Sequence, residues 1–202
     1  MRFRSGISSS KVFLSVTALV LLSTSQAPAQ APITQKTETL QTQQHTMHYE
    51  EYGEPSAPAT IILLHGASGP AVPPYRSEAE FFAAHGYYVL LPHFFDVTAS
   101  QTPSDANYQA WVNAVADLIA AQRSLPGNGP RKIGLVGLSL GSSVALAAGS
   151  QDLPIEAIAD WYGRLKQLTC ESHLYSDQGH GFSGAALQDA RQRTLSFFAK
   201  YL

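Results

Sequence analysis

The chain predicts an α/β fold with a mainly parallel sheet, and three observations lead there. Short, continuous apolar runs recur at wide spacing, as strands buried on both faces require. Stretches with helical period lie between them. Glycine or proline punctuates most of the junctions. Strands that alternate with helices imply crossover connections, and hence parallel pairing.

Each element has its own signal. Residues 30–45 are rich in Gln and Thr and read as a loose tail. Residues 40–52 alternate weakly and suggest one or two strands of an edge hairpin. Residues 60–64, Thr-Ile-Ile-Leu-Leu, are the first strong strand. Residues 76–85 carry Ala79, Phe81, Phe82, Ala83 and Ala84 before Gly86, a helix stopped by glycine. Residues 87–91 form a second buried strand, ended by Pro92. Tyr108, Trp111, Val112, Val115, Leu118 and Ile119 fall on one helical face. Gly127-Asn128-Gly129-Pro130 closes that segment. A third strand, 132–138, leads into an Ala-rich helix over 142–149. Residues 155–161 read as a fourth strand and 170–175 as a short fifth. Leu187, Ala190, Thr194, Phe197, Phe198 and Tyr201 give the closing helix its inner face. No internal repeat or second-domain boundary is visible.

Composition narrows the function. At 202 residues, with 45% hydrophobic and 14% charged, the chain can bury a core and is no charge-rich disordered polymer. A formal net charge of −2 gives no basic surplus for nucleic acid. The single cysteine, Cys170, excludes an intramolecular disulfide and any zinc site built on two or four cysteines.

Residues 1–29 have the three parts of a signal peptide. Arg2, Arg4 and Lys11 form the basic start. Residues 12–22 are an apolar run of eleven, short of the roughly 20 that a spanning helix needs. Ala27-Pro28-Ala29 places small residues before a cut after Ala29. Export to the periplasm or outside is the expectation, with no membrane attachment after cleavage. Removing 29 of 202 residues leaves 173 and takes the net charge from −2 to −5. An uncleaved N-terminal anchor is the competing reading. The organisation expected is a signal peptide over 1–29, a tail and edge hairpin over 30–58, and the catalytic fold over 59–202.

Three motifs carry chemistry. Gly137-Leu138-Ser139-Leu140-Gly141 is G-x-S-x-G between a predicted strand and a predicted helix. A sharp turn there lifts the Ser139 hydroxyl above the sheet, and side chains two residues away would collide with it. The Leu140 amide then points at a developing oxyanion from a helix N-terminus. His65-Gly66-Ala67-Ser68-Gly69 follows the first strong strand, and its Ala67 amide is the natural second oxyanion donor. His65 reads as structural beneath that loop. Asp177-Gln178-Gly179-His180-Gly181-Phe182 precedes the closing helix. His180 lies forty-one residues after Ser139 and is the expected base. The bland alternatives are a capped glycine-rich turn, a plain strand–helix loop and a surface histidine. His45 and His48 make a poor metal pair; His85 reads as a helix C-terminal cation; His93 follows a strand end. Cys170 reads as buried and inert. Phe94 and Phe95 could line a pocket or cover core. Loops 70–75 and 96–107 are candidate lids.

With these motifs in this order, residues 59–202 resemble the α/β-hydrolase superfamily, and within it the dienelactone hydrolase-like family. The matching pieces are the HGASG loop, residues 86–92, the GLSLG elbow, Asp160-Trp161-Tyr162-Gly163, and His173-Leu174-Tyr175 leading to GHGF. The resemblance implies a three-layer fold with helices on both faces of the sheet. It implies Ser139 as nucleophile, His180 as general base and acid, and Leu140 with Ala67 as oxyanion donors. No metal or organic cofactor is called for. Dienelactone hydrolases proper carry cysteine at the nucleophile position, so serine points toward the family's esterase-type and peptidase-type relatives.

The resemblance also implies a further strand after Gly163, flanked by helices and ending in the Asp that orients the histidine. Here Gly163-Arg164-Leu165-Lys166-Gln167-Leu168-Thr169 runs directly into the last predicted strand, and residues 165–168 look like the tail of a lost helix. A return along a strand of six or seven residues spans about 20 Å at about 3.3 Å each. Seven connecting residues reach about 10 Å as helix and about 24 Å fully extended. Parallel crossovers ordinarily use about a dozen residues or more. The expectation is therefore a last strand that is displaced, antiparallel or strained, and a His180 less securely placed beside Ser139. Asp160 and Asp177 are the candidates for a replacement acid; Asp96 is expected on the far side. The reading is a hydrolase of a small-molecule ester or related acyl substrate. A catalytically impaired truncated member, or a peptidase or acyltransferase on the same fold, is the alternative.

Overall fold

A computed structural model describes residues 35–98, 100–125, 131–163, 172–176 and 178–202. The expected leader with its cut after Ala29, the 165–168 helix tail, Cys170 and Asp177 lie outside these residues. The elements run β1 (Gln35–Gln41), β2 (Thr46–Tyr52), β3 (Ala59–Leu64), α1 (Pro73–Ala84), β4 (Tyr88–Pro92), a 3₁₀ turn (Phe94–Val97), α2 (Asp105–Arg123), β5 (Lys132–Leu138), α3 (Leu140–Gly149), β6 (Ala157–Trp161) and α4 (Gly184–Tyr201).

The strands form one sheet in the order β1-β2-β4-β3-β5-β6. β1 and β2 pair antiparallel, as do β2 and β4, whereas β4, β3, β5 and β6 run parallel. Every residue of β3 and β4 is buried, which is why those runs are apolar without alternation. Their two faces serve different helices. Ile62, Leu64 and Leu90 pack with Trp111, Val115 and Leu118 of α2 and with Val144 of α3. Ile61, Leu63, Val89 and Leu91 pack with Phe82 of α1 and Phe198 of α4. The result is the expected three-layer α/β arrangement. Trp111, Phe82 and Phe198 are fully buried, and each such burial contributes about 2 kcal/mol.

Helix ends follow local chemistry. The Ser104 side chain accepts from the Asn107 amide at 3.2 Å, Asp105 sits in the first turn of α2 and Arg123 in its last, each favouring the helix dipole. α1 starts with Pro73 and Pro74, whose lack of an amide hydrogen costs nothing in a first turn.

Four expectations change. The tail expected over 30–45 is a strand from Gln35 to Gln41, because β2 offers a full antiparallel partner. The lid expected over 70–75 is in part the first turn of α1, with Tyr75 buried. The other lid candidate, 96–107, ends inside α2. Of the fifth strand expected over 170–175, residues 172–175 carry no strand and the rest lies outside the described residues; among the described residues β6 is the last strand of the sheet.

Candidate active site

Two buried parallel strands, β3 and β5, end side by side and build the site. β5 pairs with β3 through Gly137 opposite Leu64, so the elbow and the HGASG loop emerge together. Ser139 adopts φ 55° and ψ −112°, a left-handed backbone that a non-glycine residue adopts only under constraint. The constraint is visible on both sides. A Cβ on Gly137 would sit 2.4 Å from Ser142 Cα, and one on Gly141 would sit 2.0 Å from the Leu64 carbonyl oxygen. Both positions accept glycine alone. The Ser139 amide donates to the Trp161 carbonyl at 3.0 Å, and the Ser142 hydroxyl donates to the Gly137 carbonyl at 2.6 Å.

The Ser139 Oγ and His180 Nε2 atoms lie 2.7 Å apart. In the tautomer that makes the imidazole a base, the hydroxyl donates and Nδ1 carries the ring proton. This corrects the expectation of an insecurely placed histidine. With no strand over the described residues 172–175, the loop reaches the serine against a group of aromatic rings. The His180 ring meets Tyr162 at 5.3 Å, and Tyr162 meets Phe182 at 5.1 Å. Phe182 in turn packs on Trp161 and Tyr175. The sequence assigns no role to Tyr162; its signal is its place in the matched segment Asp160–Gly163 after a strand end.

The amides of Ala67 and Leu140 donate to no protein acceptor among the described residues, so both are free for an oxyanion. Gly66 lets the loop close in: a Cβ there would lie 3.3 Å from Ser139 Cβ and 2.5 Å from the Tyr75 hydroxyl. His65 is structural, as expected. Its Nδ1–H donates to the Gly66 carbonyl at 2.8 Å, and its ring stacks on Phe94 at 4.0 Å. Burial lowers its pKa to about 4 against the opposing hydrogen bond to Gly66, so it stays neutral near pH 7.

The acid candidates are placed as follows. Asp160 Oδ1 accepts from the Gly163 amide at 2.8 Å, while its Oδ2 is buried without a hydrogen bond. Asp96 accepts from the amide and Nδ1 of His48, at 3.0 and 2.8 Å. Asp177 lies outside the described residues. Among the described residues no carboxylate is hydrogen-bonded to His180. Two other histidines serve the frame: His93 donates to the buried Glu50 at 3.0 Å, and His85 caps α1 through Phe81. Among the described residues no group of three or more His, Cys, Asp or Glu is placed to hold a metal ion. No helix among them is long and apolar enough to cross a membrane.

Comparison with known proteins supplies the context. The sequence profile of the dienelactone hydrolase family matches residues 46–174, more than half of the chain. The dienelactone hydrolase of Anabaena variabilis ATCC 29413 is structurally similar, with a TM-score of 0.54 and 16% identity over 65% of this chain and 64% of that one. A dienelactone hydrolase-like promiscuous phosphotriesterase from metagenomic libraries has a TM-score of 0.51 and 16% identity, over 65% and 59% of the two chains. A serine hydrolase of the polyaromatic hydrocarbon-degrading bacterium Cycloclasticus zankles has a TM-score of 0.50 and 22% identity, over 64% and 46%. The chain thus spans less than two thirds of the length of each of these relatives. No curated protein matches it.

Proposed function

The chain belongs to the dienelactone hydrolase family, and from that premise we propose that it is an exported serine hydrolase acting on an ester or related acyl bond of a small molecule. One observation carries the reading: Ser139 Oγ stands 2.7 Å from His180 Nε2 on a strained elbow. In the reaction Ser139 Oγ attacks the acyl carbon while His180 Nε2 takes its proton. The amides of Leu140 and Ala67 hold the oxygen that gains charge. His180 then returns the proton to the leaving alcohol as the bond breaks. Water, deprotonated by His180, releases the acyl group and restores the serine.

A second reading is an impaired family member. It is favoured by a His180 with no carboxylate partner among the described residues. Loss of an orienting acid lowers kcat by about 10⁴ where the rest of the triad survives. Wild type and Ser139→Ala are compared for fluorophosphonate labelling and p-nitrophenyl acetate turnover. The hydrolase reading expects wild type to label and Ser139→Ala to lose both signals. Equal signals in the two proteins would defeat it. Export is read from the N-terminus of protein recovered outside the cytoplasm, expected to begin at Gln30; an intact Met1 would overturn cleavage.

A further inference from the structure

We propose that aromatic packing by Tyr162 and Phe182 holds the His180 ring against Ser139, and that Asp160 braces the Tyr162 turn rather than acting as the third member of a triad. This rests on the reading of Ser139 and His180 as nucleophile and base. A triad acid does two things: it aims the imidazole and it selects the tautomer with its proton on Nδ1. Here the aim comes from rings. Tyr162 meets His180 near-perpendicular, at 76° and 5.3 Å, and Phe182 meets Tyr162 at 90° and 5.1 Å. Such edge-to-face contacts fix ring orientation as well as distance. Phe182 lies two residues after His180, so the loop is anchored on both sides of one turn.

Tyr162 is itself held. Its φ of 47° is left-handed, and besides Ser139 it is the only non-glycine residue with positive φ among the described residues. Such a conformation persists where the surroundings over-determine it. The Gly163 amide, bonded to Asp160 Oδ1 at 2.8 Å, closes the turn around Tyr162. A Cβ on Gly163 would lie 2.4 Å from both Asp160 Oδ1 and Ser142 Cβ, so the turn admits only glycine there. Asp160 therefore spends its bonded oxygen on the backbone that presents Tyr162. Burial, followed by the nearby Tyr75 and Glu78, holds the Tyr162 phenol well above its usual range. The side chain faces His180 as a neutral ring.

The two roles of Asp160 separate on one substitution. Asp160→Asn keeps an oxygen that accepts from Gly163, and Asp160→Ala does not. With the full chain and p-nitrophenyl acetate, the proposal expects Asp160→Asn to stay within about threefold of wild-type kcat, and Asp160→Ala to fall at least tenfold. A triad acid would instead lose about 10⁴ on changing to Asn. Tyr162→Leu is expected to lower kcat at least tenfold with KM within twofold, and Tyr162→Phe to restore it. Thermal unfolding checks that each variant is folded; should Tyr162→Leu unfold, Phe182→Leu carries the same test. A kcat loss of 10³ or more in Asp160→Asn, or wild-type kcat in Tyr162→Leu, overturns the proposal alone. A wild type that neither labels with fluorophosphonate nor turns over overturns the hydrolase reading, and this inference with it.

Discussion

The two halves of the dyad are built in opposite ways. Ser139 stands at the junction of two fully paired strands, where neighbouring glycines leave 2.0–2.4 Å for an absent methyl. His180 stands in a loop whose glycines, Gly179 and Gly181, have nothing within 4 Å of where a Cβ would be. Around it Leu174 is 86% exposed. The nucleophile is enforced from every side by backbone atoms that cannot move. The base is positioned by a few rings on one side. Hard contacts set a geometry without any helper, whereas a loop held by rings depends on each of them.

The largest expected effect breaks the nucleophile side. Gly141→Ala would drive a methyl into the Leu64 carbonyl, and a loss above about 4 kcal/mol is expected in denaturant unfolding. A loss below about 1 kcal/mol would mean that the elbow relaxes and the contrast is false. The next contrast sets a buried ion pair against an exposed one. Glu50, 1% exposed, accepts from Arg76 at 2.7 and 2.9 Å, from Tyr52 at 2.5 Å and from His93. Arg76→Ala should cost about 3 kcal/mol by leaving that carboxylate short of its main partner. Arg193→Ala, which removes an exposed pair with Asp189 on α4, should leave the urea midpoint unchanged.

Acid should loosen the frame beneath the nucleophile. The His65 pKa is about 4 when folded and 6.5 in the free side chain, so the unfolded chain binds the extra proton between those values. Stability is full above pH 6.5 and should fall as pH drops toward 4, by at most about 1.4 kcal/mol per unit. Glu50 adds to the loss lower down. Burial alone would raise its pKa, but hydrogen bonds from Arg76, Tyr52 and His93 outweigh that and hold it at about 2, below the usual 4.5. Its contribution is present above pH 4.5 and disappears toward 2. Urea midpoints from pH 7 to 4 check the first limb, and His65→Asn should flatten it. The smallest effect is on the histidine side: Gly179→Ala should change stability by less than about 0.5 kcal/mol, and a larger loss would show hidden crowding there.

Much of this was legible in the residues. β5 has the predicted bounds, because a run of six apolar and glycine residues from the Lys132 cation into the elbow leaves little choice. The elbow was legible because its glycines are steric necessities. α1 was read three residues short, since Pro73-Pro74 looks like a loop until the missing amide hydrogens are placed in a first turn. β1 was missed because its partner, not its own alternation, makes it a strand. Residues 172–175 carry no strand: a short segment, Ser-His-Leu-Tyr, says nothing by itself about whether it pairs with the sheet. Glu50 gave no local signal and Tyr162 only a place in the matched Asp160–Gly163 segment, because their roles exist only between elements distant in sequence.

One backbone bond has a consequence in time. The Ser139 amide donates to Trp161, the last residue of β6, and the Ser142 hydroxyl also reaches that carbonyl, at 3.2 Å. The elbow is thus latched by residues made twenty positions after it. During synthesis the chain emerges from its N-terminus, so the segment with the future nucleophile leaves the ribosome before its latch. Until Trp161 arrives and β6 docks, the serine lacks the contact that helps hold its turn. The reactive hydroxyl is then a late product of folding, matured only when nearly all of the sheet is already in place.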